Sequence, residues 1–167
     1  VAKILVPFMI DNIDRKILNI LQKNGRITNA DLASEIGLSP ASTLERVRKL
    51  EDSGIIKSYH AKLDTNKLGL GIIAFIHVET RHASSLHVHQ RKDIFESFIG
   101  NINNFDEIIE CFHTTGSCDF ILKITTRDTN SLQDLLVQKL GEIEEIEKME
   151  TIMILSTYKE GNIVPII

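Results

Sequence analysis

A chain of 167 residues with 43% hydrophobic and 25% charged side chains can hold one medium domain or two small ones and has an ordinary globular composition, which argues against a disordered chain. Net charge is −4, unevenly placed: residues 1–64 carry 10 Lys/Arg against 8 Asp/Glu and residues 65–167 carry 9 against 15, so no basic tail binds nucleic acid by charge alone. No run reaches the roughly 20 apolar residues that a membrane span needs, and two cysteines without metal-like spacing, Cys111 and Cys118, point to free thiols in the cytoplasm.

Residues 1–10 hold the apolar run ILVPFMI, broken by Pro7 and followed at once by Asp11. Lacking a small-residue cleavage site, the run reads as an N-terminal arm or strand and not as a signal peptide.

Residues 11–63 read as three helices. Asp11 with Asp14 three positions on is a start signal, and Ile13, Ile17, Ile20 and Leu21 recur at the steps of one helical face. Thr28 with Asp31 repeats the signal, Ala30, Ala33 and Ile36 supply a short stripe, and Gly37 closes the helix in the left-handed conformation. Ser39 is then an N-cap, and Pro40 falls at the first helical position, where its missing N–H costs nothing. A short helix, a Gly-containing turn and a second helix form the helix-turn-helix pattern.

On a wheel of about 100° per residue, Leu44, Val47 and Leu50 fall together with Thr43 beside them, while Ser42, Glu45, Arg46 and Lys49 face away with Arg48 at the edge. A helix with such a donor-lined face can enter the major groove of double-stranded DNA, reading base edges while cations hold phosphates. The DNA-binding set expected is Ser39, Ser42, Thr43, Arg46, Arg48 and Lys49. Residues 55–63, IIKSYHAKL, read as a strand leading out, with Lys57 and Lys62 available to the DNA backbone.

Residues 64–71 are rich in turn formers and read as a linker. Strands are then expected over 72–80, 106–113, 119–126 and 150–157, and helices over a segment ending near Ile99 and over 129–140. Residues 142–150, EIEEIEKME, read as a solvated connector, and 159–167 as a C-terminal tail. The order β-α-β-β-α-β is the ferredoxin-like plan, so the fold class is α+β, a winged helix-turn-helix followed by a ferredoxin-like domain over 72–158.

Two helices cover one face of such a sheet, and the other should alternate to polar. Instead Ile73 and Phe75 oppose Ile72, Ala74 and Ile76, Ile109 and Cys111 oppose Ile108 and Phe112, and Met153 and Leu155 oppose Ile152 and Ile154. A second copy of the sheet is the simplest cover, which predicts a homodimer. A dimer also supplies two reading helices for half-sites about 34 Å, or a multiple, apart.

Residues 13–64 and the segment ECFHTTGSCDFILKI at 110–124 resemble, in order and distance, the leucine-responsive regulatory protein / asparagine-regulator (feast/famine) family of transcription factors. The resemblance covers residues 13–158 and implies a regulator whose dimers assemble further, often to octamers, with a small amino acid as effector bound between dimers near the hairpin. Carried over by position, the effector region is His113, Thr115, Gly116, Ser117, Cys118 and Asp119, with Thr151 on the last strand. Backbone N–H groups around Gly116 suit a carboxylate, and Asp119 suits an α-ammonium. Ser117 and Cys118 depart from the commoner Gly-Asp-x-Asp form, which leaves the effector's identity open.

Two other constellations point elsewhere. His82, His87 and His89 invite a metal, but His87 and His89 diverge on a helix, so no metal site is expected from this chain alone. Cys118 with His113 lacks an orienting third group and an oxyanion hole, so no enzyme is expected. An architectural DNA-wrapping protein without a ligand, and a ferredoxin-like ligand-binding or enzymatic module with an inert helical cap, are the alternatives.

Overall fold

The computed structural model describes residues 9–81, 88–161 and 163–166, with side chains for all of them except 88–91. The chain forms two compact units, one of residues up to Lys62 together with those from Lys159 on, the other of Leu63–Tyr158.

In the first unit, α1 (Asn12–Lys23) opens on a reciprocal capping box. The Asp11 carboxylate accepts the Ile13 and Asp14 N–H groups, each at 2.8 Å, and Asp14 Oδ2 accepts the Asp11 N–H at 3.1 Å. Thr28 caps α2 (Asn29–Ile36), and Gly37 ends it at φ 74°, with the Gly37 and Leu38 N–H groups both returning to the Ala33 carbonyl. Only glycine adopts that backbone without strain, so the turn is fixed by one residue. Ser39 caps α3 (Pro40–Asp52), with Pro40 in its first turn. Ile17, Leu18, Leu32 and Leu50 form the core.

The expected strand over 55–63 does not form: the described chain between α3 and the sheet holds no strand. A strand needs a partner for its N–H and C=O groups. Here Ile56 instead turns in, its N–H donating to the Leu50 carbonyl at 3.1 Å and its side chain joining the helical core.

The second unit is one antiparallel sheet with strand order β2-β3-β1-β4, built from β1 (Ile72–Thr80), β2 (Ile108–His113), β3 (Phe120–Thr126) and β4 (Ile146–Met153). Helices α4 (Val88–Ile102) and α5 (Thr129–Asp134) complete the βαββαβ order, α5 running on through a π turn at Leu135–Lys139 and a 3₁₀ turn at Leu140–Glu142. The core lies between helices and sheet, with Ala74, Ile76, Val78, Leu122 and Ile124 from the strands meeting Phe98, Leu135 and Leu140.

Two expectations about strands are corrected. The last strand starts at Ile146, inside the supposed connector, because Ile143 and Ile146 are buried while Glu147, Lys148 and Glu150 point outward. In β2 the register slips between Ile108 and Glu110. That bulge turns Cys111 inward onto the core and Phe112 outward, opposite to simple alternation from Ile108. His82 and His87 lie outside the described residues, as does the side chain of His89.

Candidate nucleic-acid interface and effector groove

The second helix of the helix-turn-helix is positioned by side chains as much as by its core. Asn29 Nδ2 donates to the Pro40 carbonyl at 2.8 Å, tying the start of α2 to the start of α3. Arg46 Nη1 donates to Asp11 Oδ2 at 2.7 Å and to Asp14 Oδ1 at 2.8 Å, joining α3 to the capping box of α1. These bonds to Asp11 and then Asp14 raise the Arg46 guanidinium above its ordinary value. The Asp14 backbone N–H, followed by Arg46, holds the Asp11 carboxyl below the usual aspartate range.

Five α3 residues and their N-cap Ser39 were expected to meet DNA, and the structure divides them. Ser42, Arg48 and Lys49 are exposed, with Lys49 paired to Glu45 at 2.8 Å. Ser39 is exposed but engaged as the cap, its Oγ accepting the Ser42 N–H and donating to Ser42 Oγ. Thr43 is a correction: it is fully buried, and its hydroxyl donates to the Ser39 carbonyl one turn back, so it is part of the fold. Arg46 is half-buried with its Nη1 already shared by two carboxylates. Leu44, expected in the core, is 39% exposed beside Ser42 and Glu45, while Val47 packs inward. Lys62 reaches Glu160 at 2.8 Å. The Asn29 and Arg46 clamps escaped sequence reasoning because both partners are polar, and periodicity registers only apolar positions.

In the sheet unit, an open groove of about 950 Å³ lies between α4 and the β2-β3 hairpin. Its walls include Phe95, Ile99, Cys111 and Phe120, with His113, Thr115 and Asp119 at the hairpin and Lys92 and Glu96 on the helix. The His113 ring stands 4.9 Å from Phe95 and 5.2 Å from Phe120, an aromatic corner at the strand end. Cys111 is a free thiol pushed above its ordinary pKa by burial.

Of the expected effector residues, then, His113, Thr115 and Asp119 line one groove. Gly116, at φ 128°, Ser117 and Cys118 form the connecting turn, where Thr114 Oγ1 donates to the Cys118 carbonyl at 2.8 Å. Asp119 already has a partner: Oδ2 accepts the Thr80 N–H at 2.7 Å and the Thr80 hydroxyl at 2.8 Å. Thr151 sits opposite Ile76 on β4, with β1 and β3 between it and β2, so one protomer does not bring it to the groove. Among the described residues, no three His, Cys, Asp or Glu side chains cluster as a metal site would require, and no helix is long and apolar enough to cross a membrane.

A helix-turn-helix joined to a ferredoxin-like sheet with a lined groove defines a class, the ligand-responsive DNA-binding regulators. Residues 10–57 match the family model for winged helix-turn-helix DNA-binding domains, and residues 73–164 match that for the Lrp/AsnC ligand binding domain. The leucine-responsive regulatory protein of Salmonella typhimurium is 34% identical over 153 residues, which are 92% of this chain and 89% of that protein. Among solved structures, the L-methionine complex of a transcriptional regulator from Neisseria meningitidis superposes with a TM-score of 0.86 at 31% identity, covering 94% of this chain and 97% of that one. AsnC of Escherichia coli gives 0.83 at 31% identity, covering 95% and 100%. The chain belongs to the Lrp/AsnC family of DNA-binding transcriptional regulators.

Proposed function

We propose that this regulator meets duplex DNA through Ser42, Arg48 and Lys49 of α3 and takes a small amino acid in the groove at the β2-β3 hairpin. The observation that carries the reading is the division of labour on α3. Thr43 and Arg46 are spent on the fold, which leaves a polar and cationic edge facing solvent. In this reading exposed Ser42 meets a base edge, and exposed Arg48 and Lys49 meet phosphates. At the groove, His113 and Thr115 offer polar contacts beside the apolar wall of Phe95, Ile99 and Phe120. The turn of Gly116, Ser117 and Cys118 offers backbone N–H groups to the effector carboxylate, and the methionine bound by the Neisseria relative makes methionine the first amino acid to test.

The outer sheet face supports dimerisation. Phe112 faces Ile121 and Phe75 faces Ile152 across the ladders, with Phe112 and Ile152 almost half exposed. Lys123, paired to Glu110 at 2.9 Å, lies in the same row beside Phe75, His77 stands beside Ile121, and the Lys148–Glu79 pair, at 2.8 Å, lies further along β1. A face on which half-exposed apolar side chains alternate with paired charges is one that a second copy of the sheet would cover. Further assembly, to an octamer, belongs to this reading, since Thr151 could join the effector site only from another copy. The protein works in the cytoplasm and catalyses no reaction.

One observation favours a ligand-free architectural role instead. Asp119, the expected partner of an α-ammonium, is committed to Thr80. Calorimetric titration with the twenty amino acids, alongside mass measurement of the assembly with and without each, separates the two readings. Binding that is lost in His113→Ala supports sensing, whereas no binding by any amino acid leaves the architectural role. A shift assay at low salt tests the DNA half: failure to bind any duplex overturns it.

A further inference from the structure

We infer that residues 159–161 and 163–166 are a working strap of the DNA-binding unit, held in a groove on α1 that accepts an extended, apolar chain segment. This rests on the DNA-binding reading above for its consequence, though not for its geometry. Gln22, in the last turns of α1, presents its side-chain amide as a strand would present its backbone. Its Nε2 donates to the Val164 carbonyl at 3.2 Å, and its Oε1 accepts the Val164 N–H at 2.7 Å. Both polar groups of one residue are thus satisfied by one side chain, the two-bond exchange of a β ladder without a second strand.

The sequence prepares the segment for that pose. Val164 precedes Pro165, and a residue before proline is confined to extended backbone, so its N–H and C=O point outward before docking. Beyond it, Ile166 inserts among the apolar residues around Ile17, Leu18, Leu32 and Leu50. The Lys62–Glu160 pair spans the near end at 2.8 Å, but both groups are largely exposed and contribute little.

The strap connects to the reading helix through residues 55–59. Val164, Pro165 and Ile166 share a cavity of about 400 Å³ with Leu21, Ile56 and Tyr59. Ile56 bonds to Leu50 of α3 through its N–H, and the Tyr59 hydroxyl donates to Glu51 Oε1 at 3.0 Å. The Tyr59 ring also lies 3.3 Å from where a Cβ on Gly25, just after α1, would stand. Strap, α1, the post-α3 segment and the end of α3 are therefore one contact chain. Removing the first link frees the last turn of the helix that faces DNA. The strap also follows β4 in sequence, so the chain passes between the two units twice, at 62–63 and again at 158–159.

The test is residue-resolved amide hydrogen exchange on the full chain, with a shift assay on the same samples. Three variants are compared: Gln22→Ala, which removes both hydrogen bonds; Val164→Pro, which removes one donor; and a chain stopped after Gly161. In the wild type the Val164 amide exchanges roughly ten-fold or more below the unprotected rate, the protection one or two hydrogen bonds give. Gln22→Ala abolishes that protection and speeds exchange at Ile56. Its duplex affinity falls several-fold, with an unchanged salt dependence because no phosphate contact is lost. Val164→Pro and the shortened chain reproduce the Ile56 and affinity changes. An unprotected Val164 amide in the wild type overturns the strap, as does Gln22→Ala with wild-type exchange at Ile56 and wild-type affinity. If the wild type binds no duplex, the DNA reading fails while the exchange data still decide the strap.

Discussion

The two units solve the problem of stability differently. The sheet unit buries a continuous slab of strand and helix side chains, from Ala74, Ile76 and Leu122 to Phe98 and Leu135, and its ladders satisfy most backbone groups. The helical unit has a core of Ile17, Leu18, Leu32 and Leu50 with partly buried neighbours, and small units bury a smaller share of their surface. It compensates with polar clamps: Arg46 on Asp11 and Asp14, Asn29 on the Pro40 carbonyl, Gln22 on Val164. Polar side chains of the DNA-binding unit are therefore structural more often than their exposure suggests. Around the sheet's groove His113 and Thr115 are freer for a ligand, whereas Asp119 is bonded to Thr80 and Lys92 is paired to Glu96.

The largest test of that contrast compares Leu50→Ala with Phe98→Ala, each fully buried in its own core. Such truncations cost about 2–5 kcal/mol. In the small core that loss is expected to unfold the helical unit alone, abolishing duplex binding while the assembly mass persists. Phe98→Ala is expected to disrupt assembly first. Urea unfolding followed by circular dichroism should show two transitions, each shifted by its own variant. A single transition moved equally by both would mean the units do not stand independently.

Next in size is Arg46→Ala. It leaves Asp14, 7% exposed, without its charged partner, at a cost of roughly 1–3 kcal/mol. If the guanidinium is a clamp, affinity falls alike on specific and random duplexes, and the slope of log K against log salt is unchanged. Loss on specific DNA alone would make Arg46 a base reader. Arg48→Ala should do the reverse. Stability stays within about 0.5 kcal/mol, and the salt slope shrinks by about one unit as one phosphate contact is lost.

The same contrast explains what was legible in the sequence. Caps and turns at Asp11, Thr28, Gly37, Ser39 and Pro40 were readable because each acts through its own neighbours. The βαββαβ order followed from apolar runs and turn residues. Three features were not readable, each depending on a distant partner. The β2 bulge reverses Cys111 and Phe112 because β3 sets its register. Strand β4 begins at Ile146 because β1 and the helices bury it despite its charged neighbours. Asp119 and Arg46 carry the chemistry expected of binding groups, yet each meets a residue more than thirty positions away. Charge and polarity in a sequence say that a group can bind, not whether its partner is the protein or a ligand.

The smallest effect is the response of each unit to acid, to which one carboxyl in each contributes a separable share. Asp11, held down by the Asp14 N–H and by Arg46, and Glu107 of the sheet unit, held down chiefly by its 2.6 Å contact with Lys139, both ionise below their ordinary values. In the unfolded chain these carboxyls take up protons near the ordinary values, about 3.9 for Asp and 4.3 for Glu. The folded protein still resists, so the unfolded state binds more protons and stability falls as pH drops through that window. Above it the contribution is complete and flat. Asp11→Asn keeps a capping side chain but removes the titration. It should therefore lessen the pH 5 to pH 3 decline of the helical transition, where Glu45, held down by Lys49, supplies a further share, and leave that of the sheet unit unchanged, while Glu107→Gln does the opposite beside Asp128, held down chiefly by the Ser131 N–H. Urea midpoints measured at those two pH values decide the point. Declines that each variant leaves untouched would show that neither ion pair couples protonation to its own unit, and the clamp at α3 would then be held by geometry rather than by charge.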